Sequence, residues 1–233
     1  EELMKIIWLG HGSFRLEIAD QVLLIDPWLT GNPVLPEDSH EAATAGITHI
    51  LLTHAHFDHA ADLPDLGKKL DAPIVGQFDL MSYWEQSDVA TVGFNKGGTV
   101  QLGEVAVTMV HAVHSNSFGG PDGPNVPGTE CGFMIEGEGH VVYVSGDTDV
   151  MADMGVMNDL HAPDIGILCA GGYFTMDMRR AAYAAKTFFN FKTLIPCHYK
   201  TFPILEQSAD ELVKALPSVN VIEPEVMVPI EIS

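Results

Sequence analysis

Four side chains able to hold a cation occupy six consecutive positions in Thr53-His54-Ala55-His56-Phe57-Asp58-His59, directly after the apolar run of residues 47–53. Imidazole suits Zn, Fe, Ni or Mn, and a carboxylate adds a harder oxygen donor, so the mixture points to a binuclear first-row metal site. A lone histidine here would read as a solvated loop residue; four donors at this density, between a strand and a helix, do not. If the backbone stays extended past the strand, period two puts His54, His56 and Asp58 on one side. A following helical turn then swings His59 back toward them.

Short strands are predicted over residues 5–9, 14–18, 22–25 and 47–53, and a helix over 60–70 that stops before Asp71-Ala72-Pro73. Further strands are expected at 99–102, 105–110, 131–135 and 141–145, interrupted by a Gly-, Pro- and Asn-rich loop over 115–130. The last third alternates helix 150–160, strand 165–169, helix 178–189, strand 193–196, helix 208–216 and a strand-like tail, 226–232. This pattern is α/β or α+β with two sheets, and strand-rich stretches with helices on their outer faces suggest a four-layer sandwich. No linker or repeat divides the 233 residues, so one domain over 1–233 is expected, with Met4 as the natural start and residues 1–3 a remnant of added sequence.

Eleven Lys and Arg against 32 Asp and Glu give a net charge of −21, which repels polyphosphate and argues against nucleic acid as a partner. No apolar run reaches the length of a membrane span, and no basic flank and apolar stretch mark a secretory leader. Three scattered cysteines, Cys131, Cys169 and Cys197, fit a reducing compartment, so a cytoplasmic location is expected.

The HxHxDH segment after a strand resembles the signature of the metallo-β-lactamase superfamily. Further segments narrow the likeness to the UPF0173 or UlaG-like metal-dependent hydrolases: Trp8-Leu9-Gly10-His11-Gly12-Ser13-Phe14, Ile25-Asp26-Pro27-Trp28, His114-Ser115-Asn116-Ser117, Gly171-Gly172-Tyr173-Phe174-Thr175-Met176 and Pro196-Cys197-His198-Tyr199-Lys200-Thr201-Phe202-Pro203. The resemblance implies an αββα four-layer sandwich of the α+β class, two mixed sheets packed face to face with helices outside. It also implies a third histidine for the first metal, a bridging aspartate and a last histidine for the second metal, matched here by His114, Asp147 and His198. His111 competes with His114, which is preferred because it opens the His-Ser-Asn-Ser run. Taken singly, Asp147 could cap the helix expected near Val150, although Asp149 is the better cap, and His198 could be structural.

By this resemblance His54, His56 and His114 hold one ion, Asp58, His59 and His198 the other, and Asp147 and a water bridge them. Zinc is the first expectation, with Mn, Fe or Ni as alternatives. Water on such a metal ionises near pH ~7 and needs no protein nucleophile, so Asp58 and Asp147 are the catalytic carboxylates. His11 is placed near the metals, in support or as a proton donor. Asp26 could hold a ligand histidine, and Gly172, Tyr173, Tyr199 and Lys200 are candidate substrate contacts. Two divalent ions outweigh two carboxylates and a hydroxide by about one positive charge, so an anionic group could be drawn in. Backbone N–H groups of Gly171-Gly172 and of the helix near Met178 could assist; the alternative is a simple glycine turn between strand and helix.

The function expected is hydrolysis of a small ester, lactone or phosphodiester. The alternatives are a di-iron redox protein of the same fold, against which His56 speaks because such proteins commonly carry glutamate there, and a noncatalytic metal-binding scaffold. Edge strands leave room for a homo-oligomer.

Overall fold

A computed structural model describes residues 3–119, 123 and 125–233. Residues 1–2 of the expected remnant, and positions 120–122 and 124 of the long loop, lie outside the described residues. The chain begins with β1 (Met4–Gly10), β2 (Ser13–Ile18) and β3 (Gln21–Ile25), followed by α1 (His40–Thr44) and β4 (His49–Leu51). Next come α2 (Phe57–Ala60), α3 (Asp65–Leu70), β5 (Ile74–Gln77), α4 (Phe78–Glu85) and β6 (Thr91–Phe94). The second half holds β7 (Thr99–Leu102), β8 (Val105–Val110), β9 (Gly132–Gly137), β10 (His140–Val144), α5 (Asp153–His161), β11 (Ile165–Cys169) and α6 (Met178–Phe188). It ends with β12 (Thr193–Cys197), α7 (Asp210–Ala215), β13 (Asn220–Val221) and β14 (Pro229–Ile232).

Two seven-stranded sheets result, in the orders β14-β1-β2-β3-β4-β5-β6 and β13-β12-β11-β10-β9-β8-β7. Each is mixed. Strands β14 to β3 and β7 to β10 pair antiparallel, whereas β3 to β6 and β10 to β13 pair parallel. This is an α+β sandwich of two mixed sheets, as the resemblance implies.

Period-two burial explains why the sheets stack. Ile6, Trp8, Leu23 and Ile25 join the core shared with the second sheet, while Ile7, Leu9 and Leu24 face a separate core with Leu80, Met81 and Trp84 of α4. Strand β8 contributes Val105, Val107 and Met109 to the shared core, opposite Phe133 and Ile135 of β9. Phe133 stacks across the sandwich on Phe94 of β6, with ring centroids 6.3 Å apart.

Three local expectations are corrected. Residues 60–70 form no continuous helix: α2 ends at Ala60 and α3 begins after Pro64, whose ring removes an N–H from any helix interior. Helix α5 starts at Asp153 rather than near Val150, so Asp149 caps nothing and pairs instead with Arg180 at 2.9 Å. Residues 74–94 hold the β5-α4-β6 unit, which the sequence reading left unassigned because β5 is four residues with a central glycine and α4 is capped by an atypical residue, Gln77. Among the described residues, no helix is long and apolar enough to cross a membrane.

The shared core should dominate stability. Phe133→Ala is expected to cost about 3–5 kcal/mol, as large aromatic truncations in well-packed cores do, read from the denaturant midpoint. A shift below about 1 kcal/mol would mean the sheets do not rely on this contact.

Candidate metal centre

Every side chain of the site follows the carboxyl end of a strand. His11 follows β1, Asp26 β3, the His54–His59 segment β4, His114 β8, Asp147 β10 and His198 β12. The pairings make β1, β3 and β4 run one way in their sheet, and β8, β10 and β12 one way in the other. Loops beyond strand carboxyl ends are where sheets of this kind gather functional groups.

His54, His56 and His114 form one group whose donor atoms all lie within 4.8 Å of one another, and His11, Asp58, His59 and His198 form a second. Asp147 stands between them. Its Oδ2 is 3.1 Å from His198 Nε2, 3.5 Å from His114 Nε2 and 3.7 Å from His54 Nε2, and its Oδ1 is 3.3 Å from His59 Nε2. Asp58 Oδ2 is 3.4 Å from His198 Nε2. The division differs from the period-two expectation for His54, His56 and Asp58. Extended backbone ends at His56, and α2 opens at Phe57, so Asp58 and His59 turn together into the second group.

The donor set fits cations. His59 Nε2 and His198 Nε2 are buried with no hydrogen-bond partner, although carboxylate oxygens lie 3.1 to 3.4 Å away. Donors that approach one another without bonding are aimed at a common point. Separations near 3.3 Å are those expected around a zinc-sized ion with metal–donor bonds of about 2.0 Å.

Neighbouring residues fix the ligands. Asp26 accepts from Thr53 N–H (2.8 Å) and the Thr53 hydroxyl (2.6 Å), and its Oδ2 meets His59 Nδ1 at 2.8 Å, so its oxygens are committed to holding the loop and one ring. Asn116 accepts from Ala55 N–H and donates to Pro127 O, each at 2.8 Å, tying the long loop to the histidine segment. Glu130 accepts from His114 N–H at 3.0 Å. Two glycines make room: a Cβ on Gly12 would come within 2.7 Å of the His59 ring, and Gly146, at φ +59°, makes the left-handed turn that delivers Asp147.

Burial and mutual charge separate the histidines. Burial pulls His54, His56 and His114 below the ordinary imidazole range. For His59 and His198 burial is outweighed by Asp147 and Asp58, which raise both rings, His198 to about 9. The same rings override the burial of Asp147 and Asp58 and hold both carboxyls well below their usual range.

His11 is fully buried, its Nε2 2.7 Å from Asp58 Oδ2 and its Nδ1 against the Thr201 hydroxyl. Burial, reinforced by nearby His198, lowers it to about 4, so it is neutral near pH 7 and donates its one N–H to Asp58. Its carbonyl accepts from Trp8 Nε1 and His198 N–H, each at 2.9 Å.

The remaining candidates lie elsewhere. His111 is on the surface, paired with Asp153 at 2.6 Å. Tyr199 is buried and stacked on Trp8, and Lys200 is directed to Glu223 at 3.2 Å; neither lines the cavity above the cluster. The Gly172 N–H is used inside its own turn, by Met176 O at 2.9 Å, and Asp177 caps α6 by accepting from Arg180 N–H, so these two of the expected anion donors are already engaged. Tyr173 projects into solvent against Phe174. Asn116, Glu130, Thr201 and the aromatic residues of the cavity went unassigned in the sequence reading. Their one signal was position, each within a few residues of a candidate ligand or of the long loop's end.

Residues 21–229 match the model of the beta-lactamase superfamily domain. A UPF0173 metal-dependent hydrolase of Dinoroseobacter shibae is 69% identical over 230 residues, covering 98% of this chain and 100% of that one. The counterpart of Ruegeria pomeroyi is 64% identical with the same coverage. Among solved structures, Igni18, a novel metallo hydrolase from the archaeon Ignicoccus hospitalis, superposes with a TM-score of 0.84 at 28% identity, covering 99% of each chain. The isothiocyanate hydrolase from Delia radicum gut bacteria, at 16% identity and a TM-score of 0.74, shares the fold. With a domain model matched over most of its length and a relative this similar, the chain belongs to the UPF0173 metal-dependent hydrolases of the metallo-β-lactamase superfamily.

Proposed function

We propose that this chain, acting as one domain, is a binuclear metal-dependent hydrolase of a small ester, lactone or phosphodiester. The carrying observation is Asp147, whose carboxylate faces histidines of both groups at 3.1 to 3.7 Å. In this reading His54, His56 and His114 would hold one divalent cation and Asp58, His59 and His198 the second, with Asp147 available to either. Nitrogen-rich donor sets with carboxylates favour zinc first, with Mn, Fe and Ni as the alternatives. When bound, the cations supply Lewis acidity, which activates water near neutral pH and polarises the scissile group.

The chain's own residues do the rest. Asp26 orients the His59 ring, the Thr53 hydroxyl stands 3.0 Å from His54 Nδ1, and His11 steadies Asp58 as a neutral donor. His11 and Asp26 are therefore positioning residues. The three cysteines are free and buried, which supports the cytoplasm as the place of action.

Hydrolysis of ester, lactone and phosphodiester panels by the zinc-loaded protein tests the reading. Turnover is expected for at least one class and should fall at least about 10³-fold in Asp147→Ala; full metal loading with no turnover in any class would favour a scaffold. Asp26→Asn should lower metal affinity about 10- to 100-fold, as loss of a carboxylate behind a ligand histidine does, measured by chelator competition; unchanged affinity would remove the positioning role. His59 and His198 carry protons at pH 7, so metal uptake should release about one to two protons per chain. That release should fade as pH rises through the raised value of His198, about 9. Calorimetry in buffers of different ionisation heat reads it, and zero release at pH 7 would contradict the assigned protonation.

A further inference from the structure

The cavity over the cluster has a volume of about 620 Å³ and brings His56, Asp58, His114 and Asp147 together with Phe57, Phe118, Phe174, Phe202 and Ile204. Phe57, Phe174 and Ile204 are more than half exposed, at 62, 52 and 55%. Three large apolar side chains held in water round one opening form a patch of the kind that marks a binding site. They are also backed. Trp28 lies 5.7 Å from the rings of both Phe57 and Phe202, and Phe118 packs at 5.3 Å on Tyr83.

Charge is as telling as shape. Among the described residues, no lysine or arginine lines the cavity, and the loop 115–130 beside it contains neither in sequence. The nearby cations are engaged elsewhere, Lys200 with Glu223 and Arg180 with Asp149. The N–H groups of Gly172 and of Arg180, at the start of α6, are engaged internally. Away from the candidate metal ligands, the polar side chains among the described lining residues are the neutral hydroxyls of Ser115 and Ser117, so the anionic group anticipated from the cluster's charge meets no cationic partner in the walls.

We propose, resting on the hydrolase reading of the same site, that the substrate's non-reacting part is an uncharged apolar group. It is an aliphatic chain or aryl ring on a carboxylic ester or lactone, and Phe57, Phe174 and Ile204 set that specificity. In the reaction the acyl carbon–oxygen bond breaks, water gives its hydroxyl to the acyl carbon, and its remaining proton passes to the leaving oxygen. Methylene groups entering the cavity leave water for aromatic and aliphatic contacts, worth about fourfold in affinity for each one fully buried.

The test uses the zinc-loaded chain and two readouts. Calorimetric titration with uncharged N-alkylacetamides, from ethyl to octyl, should show affinity rising about two- to fourfold per methylene until the cavity is filled. Substituting two of the three exposed side chains together, Phe174→Ser with Ile204→Ser, should flatten that rise. The second readout is kcat/KM along p-nitrophenyl acetate to octanoate, expected to increase with chain length and to exceed that for bis(p-nitrophenyl) phosphate. Affinity independent of chain length, or a rise unaltered in the double variant, would overturn the inference, even with esters hydrolysed. A chain-length rise abolished by the double variant, with no ester, lactone or phosphodiester cleaved, would sustain the apolar site and remove the hydrolase reading instead.

Discussion

The carboxylate of Asp147 lies buried among imidazoles contributed by three other loops, and the rest of the site is arranged around the cost of that placement. A desolvated carboxylate facing four ring nitrogens is tolerable only if positive charge is shared with it. In the protein alone, protons on His59 and His198 meet that need, and both rings are accordingly raised. Ring nitrogens lie against Asp147 and Asp58 without a hydrogen bond to them, which leaves room for a different partner. Divalent cations are that partner in the proposed function, and they would replace the protons.

The sandwich exists to bring those loops together. Six strands that run the same way within their sheets end at the site, and face-to-face packing of the two sheets puts the ends of β1, β3 and β4 beside those of β8, β10 and β12. Backbone contacts fasten the junction: His198 N–H donates to His11 O, and Cys131 N–H to Thr53 O, each joining one sheet to the other near the ligands. The rigidity demanded by the centre is thus supplied by the hydrophobic core through short connections rather than by the loops themselves.

How much of this the sequence disclosed depends on how locally each feature is encoded. The His54–His59 segment was legible without help because its donors are contiguous. His114, Asp147 and His198 are single residues far apart in the chain, and only the family resemblance distinguished them from ordinary loop histidines and a capping aspartate. Strands β7, β8 and β11 match their expected bounds, whereas β5, α4 and β6 were missed because Gly76 and the atypical cap Gln77 weaken both periodicities. Gly172 and the start of α6 looked available to an anion. Whether a backbone N–H is already used inside its own turn is a tertiary fact that composition does not carry. Phe57, Phe174, Phe202 and Ile204 read in sequence as ordinary apolar residues, and only the fold reveals that they surround the cavity rather than fill the core.

Anomalous X-ray scattering at the zinc edge, from crystals of the zinc-loaded chain, tests the centre most directly. Two peaks flanking the Asp147 carboxylate are predicted, one bounded by His54, His56 and His114 and the other by Asp58, His59 and His198. A single peak, or peaks outside these groups, would contradict the binuclear account.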